Sequence, residues 1–366
     1  MDNNSRNNKN QNIKTNTNNY DRRDRNGADK RNSQKKFHLS LPVILFIIIL
    51  IFVVLFASVV YKFQFGGVTL SYDPDYEPEI SLDAEDIVLY PLSEDTAGRE
   101  DDGVTTILCI GNDVFSDDRD DDTSLSNLIA SEIGATVYNV SFPDTTISLS
   151  IPSSDSSDSN ADTFSFYSIA NAIGSGDYSA QDAISSSMGD DYVKGMEVLE
   201  GVDFDTIDTI CIMYDASDYV KGRTLYNPSD ATSSGTGVTT EEGHDFDEYT
   251  YMGAFIAGVQ SIHEAYPHIR IVMNSFTYCQ GFDEDGVQTD GDTLNLGNGT
   301  LTDYYGRLIL ACESQNVTFL DDYNGFISSS NYTEYLEDNI HLNVNARQYV
   351  AHHFNYIVYP ELISQD

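Results

Sequence analysis

From residue 104 onward, short apolar runs alternate with longer amphipathic stretches. The short runs cover residues 104–110, 135–140, 206–213, 269–274 and 317–320, and their length and flanking turn residues predict buried strands. Between them, apolar residues recur at helical spacing over 125–133, 164–173, 180–187, 193–199, 248–266, 301–314 and 343–356. Gly134 predicts a C-terminal stop for the first helix, and Pro267 bounds the helix before it. Two polar, Gly-rich stretches, 220–247 and 280–300, read as surface loops. Strand followed by helix, repeated about five times, predicts an α/β fold: a doubly wound parallel five-stranded sheet of flavodoxin-like type.

A different pattern precedes this region. Residues 39–61 carry no charge and are nearly all Leu, Ile, Val or Phe, which is enough to span a bilayer as a transmembrane helix. The run is too long for a signal-peptide core and has no small-residue cleavage site, so an uncleaved signal-anchor is expected. Lys35 and Lys36 flank it on the N-terminal side, which predicts a cytoplasmic N-terminus and an extracellular C-terminal domain. Residues 1–38 are Asn-rich and basic, with too few apolar side chains to bury a core, and read as a disordered cytoplasmic tail. Residues 62–103 are acidic with scattered Pro and read as an extracellular stalk, with one short strand near 87–90. Residues 104–366 then form the folded domain. The expected location is the cell membrane, in a single-pass type II topology.

Charge sharpens the picture. The net charge is −40, yet the first 38 residues hold ten of the 19 Lys and Arg. A domain this acidic repels nucleic acid and anionic headgroups, so no nucleic-acid partner is expected. Four cysteines are too few for a disulfide scaffold, and Cys109 and Cys211 lie inside apolar runs as buried thiols. No Gly-rich phosphate loop follows any strand.

In open α/β sheets the active crevice lies at the carboxyl ends of the strands. Four such places carry polar clusters: Gly111-Asn112-Asp113, Ser141 to Thr146, Asp215-Ala216-Ser217-Asp218, and Asp338-Asn339-Ile340-His341 before the last helix. The first is strand, Gly turn, then helix, a geometry that presents a side chain at Asn112 or Asp113.

These blocks resemble the SGNH/GDSL hydrolase family over residues 104–358. The resemblance rests on ILCIGND followed by a helix, DTICIMYDASDY, HIRIVMNSFTY, and YLEDNIHLN followed by a helix. It implies an SGNH-hydrolase-like fold and ester chemistry on lipids, glycans or cell-envelope polymers. It also implies roles for particular residues. Asp338 and His341 match the family's orienting acid and base. Asp113 stands where the family has its nucleophilic Ser. Ser141 to Asp144 lacks the oxyanion Gly, and Asp215 and Ser217 replace the Gly and Asn of the third block.

Those replacements bear on chemistry. A carboxylate at 113 is not activated by a general base as a hydroxyl is, and it puts charge where an oxyanion must form. Ser116, a helical turn further on, is a weaker candidate nucleophile, and Asp113 could itself act as nucleophile or as base for water. Several carboxylates around one pocket also suggest a cation, with Asp113, Asp215 and Asp218 as candidate metal ligands. No other cofactor is implied. The expectation is a catalytically degenerate, membrane-anchored SGNH/GDSL-type protein that meets envelope carbohydrate or ester-bearing ligands. The alternatives are an active esterase or acetylhydrolase with altered machinery around Asp113, Ser116, Ser217 and His341, and a structural envelope protein.

Overall fold

The computed structural model describes residues 86–88, 102–152 and 159–363. The expected tail, transmembrane helix and most of the stalk lie outside the described residues. Among the described residues no helix is long and apolar enough to cross a membrane.

Among the described residues seven strands occur in chain order: β1 (Thr106–Gly111), β2 (Thr136–Ser141), β3 (Thr209–Met213), β4 (Arg270–Asn274), β5 (Gln280–Phe282), β6 (Gln288–Asp290) and β7 (Thr318–Leu320). Seven helices longer than two turns accompany them: α1 (Leu125–Ile133), α2 (Phe166–Ser175), α3 (Ser179–Met188), α4 (Asp190–Gly201), α5 (Tyr251–Ala265), α6 (Leu301–Ser314) and α7 (Val344–Val358). The main sheet has five parallel strands in the order β2-β1-β3-β4-β7. This is the doubly wound order expected from the strand–helix alternation. Every residue of β1 and β3 is buried, as both faces of a central parallel strand must be.

Alternate residues of these strands feed two cores. Leu108, Ile110, Ile210, Ile212, Ile271 and Met273 point to one face, where they join buried residues of α2, α4, α5 and α6. Ile107, Cys109, Cys211, Met213, Val272 and Leu320 point to the other, under α1 and α7. The helices start on side-chain caps: Ser124, Ser165, Thr250 and Asn343 accept from backbone N–H groups of α1, α2, α5 and α7. Each such cap contributes about 1 kcal/mol. Gly134 ends α1 in the left-handed conformation, as its position predicted. The four cysteines are buried and free.

Two expectations need correction. The stretch 280–300, read as a polar loop, contains the antiparallel hairpin β5–β6. Its strands are only three residues each, too short for an alternating pattern to register. The second correction concerns residues 86–88, which had been placed in the stalk but are built into the domain. Ile87 exchanges two backbone hydrogen bonds of 3.0 Å with Phe319 on the open edge of β7. Asp86 accepts the N–H of Asp321 at 2.8 Å. An uncovered edge strand is a template for unwanted pairing, and this segment covers it.

A buried charge cluster fixes that segment. His353 on α7 holds Asp322 at 2.8 Å through Nδ1 and Asp86 at 3.4 Å through Nε2. All three side chains are at least 96% buried, with exposures of 4%, 0% and 2%. Burial alone would push the His353 imidazole down, but the Asp322 and Asp86 carboxylates outweigh it and hold it up at about 10. A histidine whose folded value lies above its unfolded value stabilises most below the unfolded value, near 6.5, and loses that contribution as pH rises through about 10. Replacing His353 by Ala should therefore cost about 3–5 kcal/mol near pH 6.5, because two buried carboxylates lose their partner. Urea denaturation of both proteins between pH 6.5 and 10 checks this, and the gap between them should narrow steadily with rising pH.

Candidate active site

The site grows from the place where β1 and β3 lie side by side and their following segments part. Gly111 closes β1 against its neighbour. A Cβ there would stand 2.1 Å from the Met213 carbonyl oxygen and 2.7 Å from the Phe115 ring. Only a glycine lets the chain turn so close to β3. A single helical turn, Asp113–Ser116, follows directly.

Asn112 locks this turn to the end of β3. Its Nδ2 donates to Asp215 Oδ1 at 2.7 Å and to the Thr145 carbonyl at 3.1 Å. Its Oδ1 accepts the N–H of Asp215 at 3.1 Å. The ends of β1, β2 and β3 are thereby joined through one fully buried amide. The opening block offered Asn112 and Asp113 as alternatives, and they divide the work: Asn112 ties the strands together, and Asp113 faces the crevice.

Around Asp113 the arrangement is specific. Its Oδ2 accepts the backbone N–H of Asp144 at 2.8 Å. Asp144 has a φ of 59°, a left-handed conformation that favours glycine. The expected gap at the oxyanion Gly is thus a matter of residue type, since the backbone there still adopts a glycine-like shape. The loop is gripped from outside by Tyr192, whose hydroxyl donates to the Pro143 carbonyl at 2.5 Å, and by Lys221, which donates to the Asp144 carbonyl.

From the far side comes the last block. His341 Nδ1 lies 2.8 Å from Asp338 Oδ2, and Asp338 Oδ1 accepts the N–H groups of Ile340 and His341 at 2.9 Å each. The acid–histidine pair implied by the family resemblance is assembled. A ring nitrogen of His341 and one carboxylate oxygen each of Asp113 and Asp215 all lie within 4.8 Å of one another.

The other sequence-level candidates fall elsewhere. Ser217 takes part through its backbone N–H, which donates to Asp215 Oδ1 at 2.9 Å. Ser116 is buried at the end of the helical turn that begins with Asp113, and the acid at 113 is what meets His341. Asp218, expected among the cation-holding acids, belongs to another task. It accepts from Ile147 N, Ser148 N and Ser148 Oγ at 2.7, 3.1 and 2.6 Å and so anchors the loop after β2. Its fully satisfied, buried carboxylate is not in the group formed by Asp113, Asp215 and His341.

One participant escaped the sequence reading. Arg347 on α7 is 1% exposed and holds Asp118 at 2.7 Å and Glu337 at 3.6 Å. It couples the loop after Asp113 to the loop that carries His341. Asp118 itself has a φ of 50°. Other acids of the run from Asp117 to Asp122 are held in the same way. Asp120 pairs with Lys194, and Asp121 accepts from Thr123. A lone Arg inside a helical pattern gave no signal of this role.

Electrostatics follow from the geometry. Burial lifts the Asp113 carboxyl to about 7, the neighbouring Asp215 adds to the lift, and the Asp144 N–H and His341 oppose it. Asp215 is also raised, by burial, against the donors from Ser217 and Asn112. Burial would lower His341, yet the hydrogen bond to Asp338 and the charges of Asp117 and Asp113 leave it raised. Asp338 is held below the usual carboxylate range. Its partial burial is outweighed by the N–H groups of His341 and Ile340 and by the imidazole. His341 and Asp338 are therefore paired, and the group His341 faces is the Asp113 carboxyl. The Asp144 N–H that could meet an oxyanion already meets Asp113, and Asp215 brings a second negative charge to the same place. At the position that the family resemblance gives to a serine stands Asp113, and the Asp144 N–H is engaged by its carboxyl.

No protein-family model and no curated protein matches the sequence. Solved structures similar in fold include a protein from Lactobacillus plantarum, 12% identical, covering 70% of this chain and 96% of that one at a TM-score of 0.43. A possible lipase from Chitinophaga pinensis is 11% identical and covers 71% of this chain and 99% of that one at a TM-score of 0.44. A candidate GDSL-like lipase from Bacteroides ovatus is 11% identical and covers 70% and 99% at a TM-score of 0.40. The strand order is that of a flavodoxin-like doubly wound sheet, and an acid–histidine pair precedes the last helix, as the resemblance to SGNH/GDSL hydrolases implied.

Two outcomes follow from this geometry. Gly111→Ala should destabilise the domain by about 2–3 kcal/mol, because its methyl would overlap the β3 backbone; chemical denaturation measures it. Asp113→Asn removes a charge that raises His341 while keeping an acceptor for the Asp144 N–H. The His341 titration midpoint, read by NMR of the imidazole, should therefore move down.

Proposed function

We propose that this chain is a membrane-anchored, extracellular SGNH/GDSL hydrolase-like protein that binds ester-bearing cell-envelope glycans or lipids without serine-type turnover. One observation carries the reading. The Asp338–His341 pair and the elbow after β1 are both present, and the side chain between them is the Asp113 carboxylate. A base that faces a carboxylate has no hydroxyl proton to take, so the frame holds a ligand crevice without the group that would open an ester. The anchor is argued from the uncharged apolar run at 39–61 and the basic flank at Lys35 and Lys36. The acidic character of everything beyond it favours neutral or cationic partners over anionic ones.

A second reading has its own support. The pair is intact at 2.8 Å, and a water held between His341 and Asp113 would meet a base able to deprotonate it. On that reading the protein is an esterase or acetylhydrolase with altered machinery.

One set of assays separates the two. The purified full chain is assayed on p-nitrophenyl acetate and on acetylated glycans beside His341→Ala, Asp113→Ser and the double variant. The native protein should give no turnover above buffer while retaining acetylated glycan. Asp113→Ser should gain turnover, at least about 10²-fold above the buffer rate, and lose it again in the double variant. Native turnover that disappears in His341→Ala would establish the second reading instead.

A further inference from the structure

We propose that Asp113, Asp215 and His341 form a binding site for a divalent transition-metal ion, with Asp338 as the positioning residue for the imidazole. The inference concerns ion binding and goes beyond the reading of the domain as an ester-ligand binder.

The donors come from three separate stretches of chain, which converge only in the fold. Asp113 follows β1, Asp215 follows β3, and His341 precedes α7. One ligand atom from each lies within 4.8 Å of the other two. Donors bonded to a common ion at about 2.0–2.2 Å lie about 3–4 Å apart, so small side-chain rotations bring this trio to bonding distance.

A second, independent observation points to a missing partner. Asp215 is 8% exposed. Its Oδ1 is fully engaged by Asn112 Nδ2 and the Ser217 N–H. Its Oδ2 is buried and has no hydrogen-bond partner among the described residues. A buried carboxylate oxygen without a partner is costly, and it is costlier still beside the second carboxylate of Asp113. A cation bound between them satisfies the orphan oxygen and removes the repulsion together.

The histidine is arranged as a metal ligand is. Its Nδ1 faces Asp338 Oδ2 at 2.8 Å, and Asp338 is itself fixed by two backbone N–H groups. The Nδ1 proton then belongs to that bond, and Nε2 carries the free lone pair. A ligating histidine characteristically donates its other ring N–H to a carboxylate. The donor set also selects the ion. Ca²⁺ and Mg²⁺ seek oxygen ligands alone, whereas an imidazole with two carboxylates suits Zn²⁺ or Mn²⁺. Three protein ligands leave a coordination position open to water or ligand. Asp218, Asp118, Asp120 and Asp121 take no part, since their carboxylates are held by protein groups already described.

The test uses the full chain, stripped with chelator and titrated with Zn²⁺, Mn²⁺ and Ca²⁺ by calorimetry, with Mn²⁺ binding read also by electron paramagnetic resonance. One equivalent of Zn²⁺ or Mn²⁺ should bind tightly and saturably, with Ca²⁺ at least about 10-fold weaker. Asp215→Asn preserves the acceptor for Asn112 and Ser217 but removes the ligating charge, and should abolish the tight site. His341→Gln, on a half-exposed loop, gives the same loss if Asp215→Asn does not fold. Asp338→Asn should keep the stoichiometry and weaken affinity by about 10–100-fold. Asp122→Asn, at an exposed acid, should leave it unchanged. Absence of a saturable equivalent, or a site that survives both Asp215→Asn and His341→Gln, overturns the proposal. Diffuse, non-saturating heat from all variants alike would show attraction to the acidic surface only and would overturn it too. Because the readouts are ion uptake and spin resonance, their failure leaves the ester-ligand reading standing, and the reverse is equally true.

Discussion

Two carboxylates, Asp113 and Asp215, held against one another at the ends of β1 and β3, set the terms for everything around them. The arrangement is unfavourable in isolation. Burial raises both groups, and the charge of Asp215 raises Asp113 further. It persists because neighbouring contacts over-determine it. Asn112 clamps Asp215 from two directions, the Ser217 N–H adds a third bond, and the Asp144 N–H engages Asp113. The Gly111 turn leaves no room for the chain to retreat. Such concentrated, partly compensated cost is what functional sites carry and what structural positions shed.

The supporting contacts act at a distance from the crevice. Arg347 joins the loop after Asp113 to the loop before α7, so the placement of His341 relative to Asp113 depends on a buried guanidinium. The hairpin β5–β6 props the same loop. Asn339 and Gln280 exchange hydrogen bonds of 2.8 and 2.9 Å. On the opposite side Asp218 pins the loop after β2, which places Pro143 and Asp144. At the sheet edge the Asp86–His353–Asp322 cluster seals β7 and fixes α7, the helix that also carries Arg347. The site is thus framed by elements whose own charges are buried and held by ion pairs, and within it Asp215 keeps one buried carboxylate oxygen without a hydrogen-bond partner.

How much of this could be read from the sequence depends on the range of each interaction. The strands were visible because a parallel strand buried on both faces is a continuous apolar run, as in ILCIG and ICIM. The helices were visible because their apolar positions recur on one face. The acid–histidine block could be read because Asp338 and His341 are three residues apart and pair locally. What escaped was set by tertiary contact. Asp215 and Asp218 are equivalent in a sequence of alternating acids, yet one faces the crevice and the other anchors a loop. Arg347 and His353 lie on one helix among unremarkable neighbours, and only the arrival of Asp118, Glu337, Asp86 and Asp322 gives them roles. The left-handed backbone of Asp144 was hidden because an Asp tolerates that conformation without announcing it as a Gly would.

These features bear on what an acid–histidine pair can do when a carboxyl stands opposite it. A histidine oriented by an acid does two jobs equally well: it takes a proton from a hydroxyl, or it offers a lone pair to something positive. Which job it does is decided by the group opposite. With a serine opposite, the acid raises the basicity of the imidazole and chemistry follows. With Asp113 and Asp215 opposite, the same imidazole completes a ring of donors, and the Asp144 N–H that would serve an oxyanion serves a carboxylate. A carboxyl at position 113 therefore does more than leave out a hydroxyl. It sets a second acid beside the buried Asp215, so the ends of two strands favour a positive group over a developing oxyanion. Serine at 113 would supply a hydroxyl but leave Asp215 in place, so the negative field at the end of β3 would limit any hydrolytic rate.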